Sequence, residues 1–121
     1  MPPKKTLVLG ASSNPSRYSY LAVQKLQEHL HPVIAVGKRE SVLSGIPILT
    51  EPPEIKELDT VTIYLNPNNQ KNYYDYILSL RPRRVIFNPG AENPELENIL
   101  EKNGIATMEA CTLVLLGTGQ F

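Results

Sequence analysis

The stretch Gly10-Ala11-Ser12-Ser13-Asn14-Pro15-Ser16-Arg17 gathers the residue types in this chain best suited to chemistry. Gly10 permits a tight turn and a close approach of backbone to ligand. Ser12, Ser13, Asn14 and Ser16 supply short hydrogen-bonding groups. Arg17 adds a permanent charge whose planar fork suits phosphate. Together they are the parts of an anion site, provided a helix follows that presents free N–H groups and the positive end of its dipole. The same serines and asparagine would also cap that helix, with Arg17 a solvated surface residue. A dinucleotide fingerprint G-x-G-x-x-G would need glycines where Ser12 and Pro15 stand, and no P-loop motif occurs.

A second charged element is Lys38-Arg39, directly after the apolar run ending Val36-Gly37. Folds that bind NAD usually carry Asp or Glu at this place for the ribose hydroxyls. A basic pair suits a phosphate on the ribose instead, as in NADP or coenzyme A. The plainer alternative is a solvated basic turn that Glu40 partly balances.

The remaining reactive side chains read as structural. His29 and His31 fall at the carboxyl end of the first helix, where a positive charge is favourable. Two histidines at that spacing make a poor metal site. Cys111 could be a nucleophile, a thioester partner or a redox sensor, but it has no histidine near it in sequence, and the commoner fate of such a cysteine is a small buried hydrophobe. Glu92, Glu95 and Glu97 cluster where a helix starts, and the dipole accounts for them. Tyr18 could stack on adenine, though nothing in the sequence fixes its direction. No catalytic set and no metal site is expected.

The elements that must position these residues alternate between strand and helix. Strands are expected at Leu7–Gly10, Val33–Val36, Val61–Leu65 and Arg84–Phe87, with a weak edge strand near Ile46–Leu49 and a last short strand at Ile105–Met108. Val23, Leu26 and Leu30 give Tyr18–Leu30 a helical stripe that Pro32 ends. Tyr73, Ile77 and Leu80 mark a second helix. Asn93-Pro94-Glu95 opens a third, with Asn at N-cap and Pro at N1, and Asn103-Gly104 closes it. Cys111–Leu116 is apolar enough for a terminal helix. Between residues 37 and 59 the pattern is irregular, with one helical turn expected at Glu54–Leu58.

This alternation implies an α/β fold: a Rossmann-like, doubly wound parallel sheet of about five strands in the order 3-2-1-4-5, with helices on both faces. The switch point falls between the first strand and the strand at 61–65. Ligands bind at the carboxyl ends of strands beside such a point. The loop at Gly10–Arg17 and the loop Asn66-Pro67-Asn68-Asn69 would meet there.

Composition narrows the function further. A chain of 121 residues reads as a single domain over 1–121, with no room for a separate substrate domain. Twelve basic and twelve acidic residues give a formal net charge of zero, so the basic excess of a non-specific nucleic-acid binder is missing. Leu7-Val8-Leu9 is too short for a signal sequence or a membrane span, so no membrane partner is expected. One cysteine excludes an internal disulfide and fits a cytoplasmic protein.

The run from Gly10 to Ser19, GASSNPSRYS, resembles the opening of the small, single-domain coenzyme A-binding proteins, which are similar to the N-terminal domain of the succinyl-CoA synthetase alpha subunit. The resemblance continues through Gly45-Ile46-Pro47, Asn88-Pro89-Gly90-Ala91-Glu92-Asn93, Asn103-Gly104-Ile105 and Glu109-Ala110-Cys111-Thr112, and so spans nearly the whole chain. It implies a Rossmann-like fold and a ligand of the coenzyme A type. Carried residue by residue, Gly10, Ala11, Ser12, Ser13 and Asn14 form the loop at the pyrophosphate, assisted by Arg17 and Ser19. Lys38 and Arg39 match a basic position near the 3′-phosphate or the adenosine. Asn66 and Pro67 line the other wall, and Gly90 leaves room beside it. Two departures stand out: many members place Asn-Pro where this chain has Gly37-Lys38, and the loop at Asn66 has no basic residue before Lys71.

The expectation is a small binding protein for a nucleotide cofactor, coenzyme A or an acyl-CoA, without a complete catalytic set. Two other readings stay open. One is an NADP-binding module of an oxidoreductase, or a subunit of an acyl-CoA ligase, that needs a partner chain. The other is an interaction module with a vestigial pocket. The apolar tail Leu113–Leu116 would pack on its own sheet or bury itself in a homo-oligomer.

Overall fold

Short runs rich in β-branched and apolar residues, several of them next to a glycine or proline, become the strands of one sheet. The computed structural model describes residues 2–121. The chain runs β1 (Thr6–Ala11), α1 (Tyr18–Glu28), β2 (Val33–Gly37), β3 (Ser41–Leu43), β4 (Ile46–Leu49) and β5 (Thr60–Ile63). A short helix α2 (Pro67–Gln70) continues through a 3-10 turn, Lys71–Tyr73, into α3 (Tyr74–Leu80). Then come β6 (Arg84–Phe87), α4 (Pro94–Lys102), β7 (Ala106–Glu109) and α5 (Thr112–Gly117).

The strand order is β3-β4-β2-β1-β5-β6-β7. Every neighbouring pair is parallel except β3–β4. The expected order of five is the central run β4-β2-β1-β5-β6, and the Rossmann-like class holds, but the sheet has seven strands. The segment read as a last short strand joins one edge as β7. At the other edge β3, unread in the sequence, folds back on β4 through Ser44 (φ 50°) and Gly45 (φ 79°). Two positive φ angles in a two-residue turn are the geometry that matches the twist of a hairpin.

The alternation of side chains along the strands divides the core in two. Leu7 and Leu9 of β1 face Ile77 of α3 and Leu96 and Leu100 of α4. Val8 points the other way, to Val23 and Leu26 of α1 and Leu116 of α5. Helices thus cover both faces, as a parallel sheet requires.

Three local expectations are corrected. α1 stops at Glu28, and Leu30 is not on its buried stripe: it takes φ 65° and is exposed, while Ala22, Val23 and Leu26 are buried. No helical turn forms at Glu54–Leu58; Glu57 adopts φ 56°, and the Pro53 carbonyl is instead taken by Tyr76 Oη at 2.6 Å. The loop expected at Asn66–Asn69 is a helix start: Asn66 caps α2 by accepting from Asn69 N at 3.0 Å, and Pro67 opens it.

Candidate ligand cleft

The carboxyl ends of β1, β2, β5 and β6 point to the same side of the sheet, and the site is built there. At the end of β1 the register with β2 shifts between Leu9 and Ala11, so Gly10 bulges out at φ 97°. A Cβ on Gly10 would meet the Tyr64 carbonyl group at 3.0 Å, which is why a glycine stands at this turn. Gly37 meets a harder limit: a Cβ there would clash with the Ala11 carbonyl oxygen. The ends of β1 and β2 can therefore lie side by side only because Gly37 lacks a side chain, and Gly10 gives the same room against the end of β5.

Between β1 and α1 the loop is held by its own side chains. Asn14 N donates to Ser12 Oγ at 3.1 Å. Asn14 Oδ1 accepts from Ser16 N at 3.0 Å and Ser16 Oγ at 2.8 Å. Asn14 thus spends its oxygen on the turn and leaves its amide N–H₂ for a ligand. α1 begins after Arg17, which sits at N-cap with extended backbone and makes no capping hydrogen bond. The first N–H groups of the helix are left without a side-chain cap, and that is the condition under which a helix N-terminus binds anions.

The opposite wall comes from the ends of β5 and β6. Asn88, buried, donates from Nδ2 to Thr62 Oγ1 at 2.7 Å and to the Ile63 carbonyl at 2.9 Å, and its Oδ1 accepts from Thr112 N at 2.9 Å. Thr62 and Thr112 share a further hydrogen bond of 2.7 Å. This buried network pins the start of α5 to the sheet. Beyond it Gly90, at φ 93°, has open space where a Cβ would stand, and its N–H donates to Glu92 Oε1 at 2.8 Å. Asn93 caps α4 through Leu96 N at 3.2 Å.

The two walls enclose a cleft of about 850 Å³. Gly10, Ala11, Ser12, Ser13, Asn14, Arg17 and Ser19 line one side, Lys38 and Arg39 the end at β2, and Asn66 and Gly90 the other side. Of the twelve residues that the resemblance carries to the ligand, eleven thus surround one cavity, and Ser16 and Tyr18 line it as well. Pro67 does not, because it lies one position inside α2. Tyr64, Leu65, Pro89 and Ala91 also line it and were not in that set; their sequence signal is only that they lie within four residues of the ends of β5 and β6. Among the lining residues are three cations, Arg17, Lys38 and Arg39, and no acidic side chain. The lining side chains thus carry net positive charge, although the chain as a whole carries none.

The groups considered for catalysis are held by structure. His31 is not a charged residue at a helix end: it is 3% exposed, its Nδ1 accepts from Lys4 N at 2.9 Å, and its ring lies 4.9 Å from that of Phe121. Burial, reinforced by the charge of Lys4, holds it below its ordinary pKa and so neutral. Cys111 is half-buried at the N-cap of α5. Tyr64 reaches the cleft, but its hydroxyl is buried, and burial pushes its pKa well up. Glu97 accepts from Asn93 N at 3.2 Å in the first turn of α4, and burial, with Glu109 beside it, raises its pKa. Among the described residues no group of three or more His, Cys, Asp or Glu could hold a metal ion, and no helix is long and apolar enough to cross a membrane.

Comparison with known proteins agrees with this architecture. A protein described as uncharacterized, known from a crystal structure, is 52% identical over 100% of both chains, with a TM-score of 0.98. A Thermus thermophilus structure is 26% identical, covering 98% of this chain and 91% of that one, with a TM-score of 0.85. A hypothetical protein from Pyrococcus horikoshii OT3 shares the fold at 24% identity and a TM-score of 0.83, over 92% of this chain and 80% of its own. No curated protein sequence matches. A family model described as a CoA binding domain matches residues 4–117, so the protein belongs to the CoA binding domain family.

Proposed function

We propose that this protein binds coenzyme A, free or acylated, in the cleft at the carboxyl ends of β1, β2, β5 and β6. The observation that carries the reading is the charge of the lining: three cations, no acid, and an uncapped helix N-terminus between them. Coenzyme A has a pyrophosphate and a 3′-phosphate, and the cleft offers a separate place for each. The pyrophosphate suits the start of α1, with Arg17 and the Ser12, Ser13 and Ser19 hydroxyls around it. The 3′-phosphate suits Lys38 and Arg39. From β2 to β6 the cleft spans three strand spacings, roughly 14 Å. Its far part, at Leu65, Pro89, Gly90 and Ala91, is uncharged and suits the pantetheine arm. The lining supplies donors and fixed charge, which hold a ligand rather than transform it, so the protein acts as a carrier, sensor or accessory module in the cytoplasm. NADP is the second reading, because Lys38-Arg39 would serve a 2′-phosphate equally well.

Isothermal titration of ligand-stripped protein with coenzyme A, dephospho-coenzyme A and NADP⁺ tests this. Coenzyme A is expected to bind, and loss of its 3′-phosphate or the change Arg17→Ala to weaken binding about tenfold or more. Selective binding of NADP⁺ would transfer the assignment to that cofactor. Silence with all three would leave an interaction module.

A further inference from the structure

Gln70 closes α2 and is 0% exposed, although its side chain carries a whole amide. Nε2 donates to two carbonyls from different loops, Leu65 at 2.8 Å and Ala91 at 2.7 Å. Oε1 accepts from Asn93 Nδ2 at 2.9 Å. These partners fix which way the amide points: turned over, it would aim an oxygen at two carbonyls and an N–H₂ at another donor. The arrangement is braced from outside, since Asn93 Nδ2 also donates to Tyr74 Oη at 2.8 Å and Tyr74 Oη donates to Glu95 Oε1 at 3.0 Å. Leu65 and Ala91 line the cleft, whereas Gln70 stands behind them. One side chain therefore ties the loop after β5 to the loop after β6.

We propose that Gln70 is a positioning residue that sets the spacing of the β5–β6 wall and so governs affinity for the part of a ligand that extends past its phosphates. The inference rests on the coenzyme A reading of the cleft. On that reading the nucleotide half lies over α1 and Lys38-Arg39, out of reach of the latch, and the pantetheine arm lies against Leu65, Gly90 and Ala91. Breaking the latch must then weaken one half of the ligand and spare the other. A general loss of fold stability would not discriminate in this way.

The test compares coenzyme A with adenosine 3′,5′-bisphosphate, which lacks the arm. Gln70→Met keeps the volume and loses all three bonds. Gln70→Glu keeps the shape but turns a donor into an acceptor. In both, coenzyme A is expected to bind about tenfold more weakly, with adenosine 3′,5′-bisphosphate changed by less than about twofold. Equal weakening of both ligands, or no change in either, overturns the inference. Should these variants fail to fold, Gln70→Asn, which keeps the amide but is one methylene too short, carries the same comparison. Hydrogen exchange on the ligand-free protein gives an independent reading: the amides of residues 90–92 should exchange roughly tenfold faster in the variants, with those of 10–19 unchanged. If the unaltered protein binds neither ligand, the coenzyme A reading falls, and the exchange result alone decides the latch: unchanged protection at 90–92 overturns it.

Discussion

Gly37 and Ala11 end their strands so close together that a Cβ on Gly37 would clash with the Ala11 carbonyl oxygen. The register shift around Gly10 brings that carbonyl there. The mouth of the cleft is thus shaped by the absence of two side chains.

Gly37→Ala should therefore cost at least about 2 kcal/mol of stability, since backbone must move to relieve the overlap. Gly90→Ala has positive φ but open space, and should cost only roughly 1–2 kcal/mol. Urea denaturation of both variants checks the ranking. Equal costs would mean that strain, and not the strand approach, dominates at Gly37.

Ligand affinity should fall with salt. Arg17, Lys38 and Arg39 are all exposed, so their attraction for phosphate is screened over about 8–10 Å at physiological ionic strength. The double change Lys38→Ala with Arg39→Ala should flatten the salt dependence and weaken coenzyme A more than dephospho-coenzyme A. Titrations at several salt concentrations read both effects. A salt-independent affinity would remove these cations from the account.

His31 predicts a pH dependence of stability. Its folded pKa lies below the ordinary 6.5, through burial first and Lys4 second, so the unfolded chain takes up the proton first as the pH falls. Its contribution is complete above about 6.5, declines as the pH drops from there to the folded value, and is constant below. Thermal unfolding between pH 7.5 and 5, compared with His31→Leu, isolates this slope. The variant should lose it, together with about 1 kcal/mol from the orphaned Lys4 N–H.

Asn88→Leu should cost about 2–4 kcal/mol, because three buried hydrogen bonds go at once and Thr112 N loses its acceptor. Near-ultraviolet circular dichroism and urea melts would register both the loss and the release of α5. A change within experimental error would show that α5 is held by Leu116 and its apolar contacts alone.

The fold was legible because long-range order in a parallel sheet leaves local marks: apolar β-branched runs such as Val33–Val36, with a glycine after them. The same sign was misread where two meanings coincide. Asn93-Pro94 stood beyond the strand at Arg84–Phe87 and read as a helix start, whereas Asn66-Pro67 directly followed a strand and read as its breaker; both asparagines are N-caps. β3 was hidden because it is only three residues long, and Gly45 and Pro47 directly after it break any periodic pattern. His31 could not be read at all, since what buries and neutralises it arrives from Lys4 and Phe121, at the far ends of the chain. The loop at Gly10–Arg17 was legible from its types and its place after β1. Leu65 and Ala91 were not, because an apolar side chain shows no sign of which cavity it will line.

The pairing of β1 with both β2 and β5 has a consequence for the order of assembly. Thr6 meets Val33 on one side and Thr60 on the other. Everything proposed to hold phosphate lies within residues 10–39, a single strand-helix-strand unit whose ends close over a short loop. The facing wall belongs to residues 64–91 and can join only after a much longer loop has closed. The cleft is therefore two pieces of chain of different age on a ribosome: the charged half can form early, and the uncharged half arrives to complete it.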